Sequence, residues 1–108
     1  MTTAIKEIEK YQTADGKEPF SDWLESLPAD IQARVYAYIR RLAQGGARNN
    51  IESVGDGVKE IRIHFGPGYR VYFGEVKSRI VLLLIGGTKR TQDADIKKAK
   101  SYWSDYNE

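Results

Sequence analysis

Cysteine is absent from the chain. That excludes disulfides and any metal or redox chemistry built on thiolates, and it suits a reducing compartment such as the cytoplasm. Long apolar runs are missing too. The longest, residues 80–85, is far too short to cross a membrane, and the N-terminus lacks the basic-then-apolar pattern of a signal peptide. No internal repeat, low-complexity tract or linker breaks the sequence. With 108 residues, one domain spanning 1–108 around a single core is the natural expectation. The composition points to a soluble cytoplasmic protein.

Charge is plentiful and unevenly placed. Residues 1–58 carry seven Lys/Arg against nine Asp/Glu, whereas residues 59–103 carry ten against four. A basic half joined to a mildly acidic one is the footprint expected for contact with phosphates, although such an imbalance also arises by chance in so charged a chain.

Periodicity supplies the elements. Residues 4–13 alternate imperfectly and carry Lys and Glu, which suits a strand at a sheet edge. After the turn "ADGKEP", Phe20, Trp23, Leu24 and Leu27 recur at helical spacing. Pro28 closes that helix and can open the next, in which Ile31, Val35, Tyr38, Ile39 and Leu42 form one stripe. "QGG" ends it, and residues 45–57 read as a loop. Three strands follow, 58–65, 69–76 and 79–86, whose short links require antiparallel neighbours. The last of them is apolar at both parities, as for a strand covered on both faces. Thr91 then caps a helix that carries Ile96, Ala99 and Trp103 on one side. The predicted order is β-α-α-β-β-β-α: an α+β fold with a mostly antiparallel sheet, a helical hairpin on one face and a C-terminal helix.

The stretch "KEIRIHFGPGYRVYF" (59–73) has the look of a β-hairpin. A three-residue loop at 66–68 opposes Phe65 to Tyr69, Ile63 to Val71 and Ile61 to Phe73, so that every apolar side chain faces one way. The other face then gathers Glu60, Arg62, His64, Arg70 and Tyr72, with His64 opposite Arg70 and Arg62 opposite Tyr72. A solvated face of mixed charge is the plain alternative, with Arg62 and Glu60 as a surface pair worth little. It must still explain a His and a Tyr between two arginines. Just beyond the last strand, "GGTKRTQDADI" joins a Gly-rich turn, Lys89 and Arg90 to a helix start, a weak anion-binding signal that lacks P-loop spacing.

With these segments in view, the chain resembles the RelE/ParE superfamily of toxins from type II toxin–antitoxin systems, and within it the HigB-like addiction-module killer proteins. The resemblance rests on "IRIHFGPGYRVYF" and on "GGTKRTQDADIKKA", where Gly86, Gly87, Lys89, Gln92, Asp95, Ile96 and Ala99 match the killer-protein pattern. It implies a RelE-like fold and a ribosome-dependent endoribonuclease that cuts mRNA and arrests translation. It also implies a silencing partner, a small helix-turn-helix antitoxin encoded next door. Carried over residue by residue, Arg62 takes the basic position on the strand, Arg70 the Gly-Tyr-Arg position, and Lys89 with Arg90 the position after the last strand. The aromatic residue expected in the final helix is replaced by Ile96; Tyr102 and Tyr106 lie further along.

The chemistry so implied needs no cofactor or metal, because the RNA 2′-OH is itself the nucleophile. Arg70, with Arg90 or Lys89 as second clamp, suits the phosphorane, since a guanidinium grips two oxygens and stays charged. Proton transfer falls to His64, which the neighbouring Arg70 charge would keep in its neutral form, or to Glu60. Lys59, Tyr72, Lys89 and Lys97 are the expected RNA or phosphate contacts. Two other readings remain: a ParE-like DNA gyrase inhibitor without nuclease activity, and a degenerate toxin that only binds its antitoxin.

Overall fold

A computed structural model describes residues 5–108. Its elements run β1 (Glu7–Lys10), α1 (Pro19–Glu25), α2 (Ala29–Ala43), β2 (Ile51–Gly55), β3 (Val58–Ile63), β4 (Tyr69–Val76), β5 (Ile80–Thr88) and α3 (Gln92–Tyr106), with short 3-10 turns before β2 and α3. The five strands lie in the order β1-β5-β4-β3-β2. All pairings are antiparallel except β1 with β5. The α+β architecture read from the sequence is therefore the one observed, and the first strand does occupy an edge. Residue 4 of the strand expected over 4–13 lies outside the described residues.

Two expectations need correction. Residues 45–57 are not all loop, because Ile51–Gly55 forms β2 against β3. A tight turn at Asp56-Gly57 joins the two strands, both residues lying at positive φ (57° and 86°). Asp-Gly is a strong short-hairpin signal. It was masked because the strand before it, "IESVG", has only one clear apolar alternation. The second correction concerns the β3–β4 register. The strands pair Ile63 with Tyr69, Arg62 with Arg70, Ile61 with Val71 and Glu60 with Tyr72. The connecting loop thus spans 64–68, and the register moves by two. A shift of two leaves each side chain on its predicted face while changing its neighbour.

Both faces of the sheet are covered. On one, α1 and α2 pack Phe20, Leu24, Ile31, Val35, Ile39 and Leu42 against Ile61, Ile63, Val71, Phe73, Val81 and Leu83. On the other, α3 lays Ile96, Ala99, Tyr102 and Trp103 over Tyr11, Val58, Tyr72, Leu82, Leu84 and Ile85. Gly74 makes room for Trp103, since a β-carbon there would run into the indole ring. Gly87 lets the start of α3 descend onto the sheet, where a β-carbon would collide with the Asp95 carboxyl. The apolar character of β5 at both parities follows from this double cover. Among the described residues no helix is long and apolar enough to cross a membrane.

Candidate functional site

The alternation of β3 and β4 places Glu60, Arg62, Arg70 and Tyr72 on the α3 face, and the observed register sets Arg62 directly opposite Arg70. Like charges so placed repel unless something negative lies between them. Glu60 supplies it. Its side chain is 0% exposed; Oε1 accepts from Arg62 Nε at 3.2 Å, and Oε2 lies 3.5 Å from Arg70 Nε. The first turn of α3 adds a second hydrogen-bond donor, Gln92 Nε2, at 3.0 Å from Oε2. A buried carboxylate so surrounded is tolerable because its charge is matched and hydrogen-bonded.

Arg62 reaches outward as well, pairing with Glu52 on β2. The hydrogen bond to Glu60, followed by the Glu52 charge, raises the pKa of the guanidinium above its ordinary value. The two arginines differ in access: the Arg62 side chain is 41% exposed and that of Arg70 12%. Arg70 Nη1 also lies 3.4 Å from the Gly68 carbonyl, which ties it to the β3–β4 loop. Its Nε and the Tyr72 hydroxyl are buried without a hydrogen-bond partner. Burial pushes the Tyr72 pKa well up, aided by the Glu60 and Asp95 carboxylates and opposed by Arg70. Thr91, the residue before α3, donates its hydroxyl to the nearly buried Asp95.

The remaining expected residues divide clearly. His64 is exposed at the start of the loop, one residue beyond the paired segment, so the expected His64–Arg70 pair does not form. Lys89 and Arg90 are exposed in the 3-10 turn after β5, at the same end of the sheet, because Tyr69 pairs with Thr88. Tyr72 is 0% exposed, so as folded it cannot touch RNA. Lys59 points to the α1–α2 face and is tied to Glu75 at 2.7 Å, away from the arginines. Lys97 lies on the solvent side of α3. Ile96, at the position of the missing aromatic, is partly buried against the α3-side core. Tyr102 stacks on Tyr11 at 5.0 Å between ring centres, whereas Tyr106 lies on Trp103.

Three participants went unassigned in the sequence: Glu52, Gln92 and Asp95. Gln92 and Asp95 stand in the second motif and carried a signal there. Glu52 could not be found without β2.

Residues 22–103 match the family described as phage-derived protein Gp49-like (DUF891). The chain belongs to the Gp49-like family. A Haemophilus influenzae protein described as uncharacterized is 48% identical over 82 residues, which cover 75% of this chain and 82% of that one. The Gp49-like family is toxin-like and related to RelE and HigB, in line with the resemblance of the two motifs. The matched stretch contains every residue of the Glu60 cluster and omits β1. As a Gp49-like protein the chain thus carries a charged cluster that is balanced inside by Glu60 and Glu52, while Lys89 and Arg90 leave surplus positive charge at its rim.

Proposed function

We propose that this Gp49-like protein is the toxin of a type II toxin–antitoxin pair, an endoribonuclease that cuts mRNA on the ribosome by attack of the 2′-OH. The observation that carries the reading is the buried Glu60 holding Arg62 and Arg70 side by side at the end of the sheet where Lys89 and Arg90 emerge. Two guanidiniums fixed in orientation suit a phosphorane, whose charge develops only in the transition state. Glu60 acts as their positioning residue rather than as a base, because its oxygens are already occupied by donors. Lys89 and Arg90 draw in the phosphodiester.

His64 is left as the proton acceptor, exposed on its loop. The proton of the 2′-OH passes to the imidazole as the 2′-oxygen–phosphorus bond forms. The phosphorus–5′-oxygen bond breaks, and the departing oxygen takes a proton from the imidazolium or from water. The products are a 2′,3′-cyclic phosphate and a free 5′-OH. A helix-turn-helix antitoxin is the expected silencing partner.

The test is primer extension on a translated message incubated with the purified protein, with and without ribosomes. Cuts that require ribosomes and fall at least a hundredfold in Arg70→Ala, with folding intact, are the expected result. Cuts in free RNA would remove the ribosome requirement. With no cuts in either mixture the nuclease reading fails, and a gyrase supercoiling assay would test the ParE-like alternative.

A further inference from the structure

Arg62 and Arg70 are engaged by carboxylates, but the arginines of α2, and Arg48 just beyond it, are not. No carboxylate among the described residues lies within ion-pair distance of Arg34, Arg40, Arg41 or Arg48. Two of them rest instead on aromatic rings. The Arg34 guanidinium sits 4.0 Å from the centre of Phe65, and that of Arg41 sits 4.7 Å from the centre of Tyr38. Residues 34, 38 and 41 follow the helical repeat, so they share one side of α2. Phe65 belongs to the β3–β4 loop, next to His64 and three residues from Gly68, whose carbonyl faces Arg70.

Cations near a helix C-terminus are favoured by the helix dipole, which accounts for Arg40 and Arg41 in the last turn of α2. It does not account for Arg34, near the middle of the helix. Nor does it explain why two arginines sit over aromatic rings. A guanidinium held against an aromatic face has already lost much of its freedom and presents its N–H edge outward, toward a phosphate or a base.

We propose that the α2 side bearing Phe65, Arg34, Tyr38 and Arg41 is a second RNA-binding surface, which takes the single-stranded RNA flanking the scissile position as it leaves the loop tip. The inference deepens the nuclease reading and rests on it for the direction of the strand. The guanidiniums that cover these rings suit phosphates through their remaining N–H groups, and Arg34 and Arg41 stand about 10 Å apart along the helix axis. Continuity with His64 favours RNA over an acidic peptide, because a strand placed for cleavage must pass this loop.

The test measures binding of a 5′-labelled 20-nucleotide single-stranded RNA by fluorescence anisotropy, over a salt series. The proteins are Arg70→Ala, which keeps the RNA intact, and Arg70→Ala combined with Arg34→Ala and Arg41→Ala. The expected result is at least tenfold weaker binding and a salt slope flattened by about 1.4, two phosphates' worth. Arg40→Ala, which removes an unstacked charge, should lose less than Arg34→Ala. Unchanged affinity and slope, equal losses at Arg40 and Arg34, or weakened binding of poly-glutamate with RNA binding unaltered would each overturn the proposal. Thermal melts identify variants that merely misfold, and Arg34→Lys with Arg41→Lys then serves as the folded substitute, retaining charge without stacking and giving an intermediate loss. Primer extension with the unsubstituted protein separates the two ideas. Cleavage without α2-dependent binding sinks this surface alone, whereas α2-dependent binding without cleavage sinks the nuclease alone.

Discussion

The two faces of the sheet solve the same burial problem with different materials. Under α1 and α2 the cluster is wholly apolar. Under α3 the seam begins with Tyr11, Tyr102 and Trp103 and ends in Glu60, Arg70, Tyr72 and Asp95. Both buried carboxylates of the described residues lie on that second side. The difference teaches where stability and charge are kept: the apolar face anchors the strands that present charge on their reverse, and its own ion pair, Lys59 with Glu75, stays at the margin.

The largest effect should come from the apolar face. Phe73→Ala removes a fully buried ring from the α1–α2 side and should cost about 3–5 kcal/mol in chemical denaturation. A loss under about 1 kcal/mol would mean that this face is not the main anchor. On the charged face, Glu60→Ala leaves the mostly buried Arg70 without its carboxylate, while Arg62 keeps Glu52, and should cost about 3 kcal/mol. Glu60→Gln keeps the volume and much of the polarity and should cost less, while still lowering cleavage. If both variants are as stable as the parent, the buried carboxylate does not hold this cluster. Next comes Gly74→Ala, whose methyl group meets Trp103. It should destabilise by about 1–3 kcal/mol and change Trp fluorescence as α3 lifts; an unchanged spectrum would argue against the tight seating of that helix.

The smallest effects are those of pH, and the two sides should answer at opposite ends of the scale. Tyr11 is pushed up from 10.0 to about 12 by burial and by its hydrogen bond to Asp105. The fold therefore favours the neutral phenol, and this contribution is complete below pH 10 and lost as pH rises toward 12. Glu75, at the margin of the other side, is held below its ordinary value by Lys59 and Lys6. Its contribution is present above the unfolded carboxylate value and disappears as pH falls through the lowered one. Denaturation at stepped pH should lose its alkaline slope in Tyr11→Phe and soften its acid slope in Glu75→Gln. Unaltered slopes would assign those limbs to other groups.

How far the sequence could be followed depended on which forces leave a pattern. Alternation and helical spacing marked α1, α2, β3, β4, β5 and α3, because burial of one side repeats with a fixed period. The register of β3 on β4 left no such trace. A slip of two residues keeps Ile61, Ile63, Val71 and Phe73 on the same face, so the pattern fits either pairing, and loop length decides. Arg62 and Arg70 were correctly placed on one face, but their opposition, and the need for Glu60 beneath them, followed only from the register. The burial of Tyr72 depended on where α3 docks. The doubly apolar β5 already demanded a second cover, and α3 was the element left to provide it.

The pairing of β1 with β5 has a consequence for the order of assembly. Glu7 stands beside Ile80, and Tyr11 reaches Asp105, so the first strand has no neighbour until β5 has been synthesised. Contacts this distant in sequence form late and slowly. Lys89, Arg90 and Gln92 follow β5 and so are made after the arginines they join. A growing chain would therefore carry Arg62 and Arg70 before the turn and helix that finish the cluster have emerged.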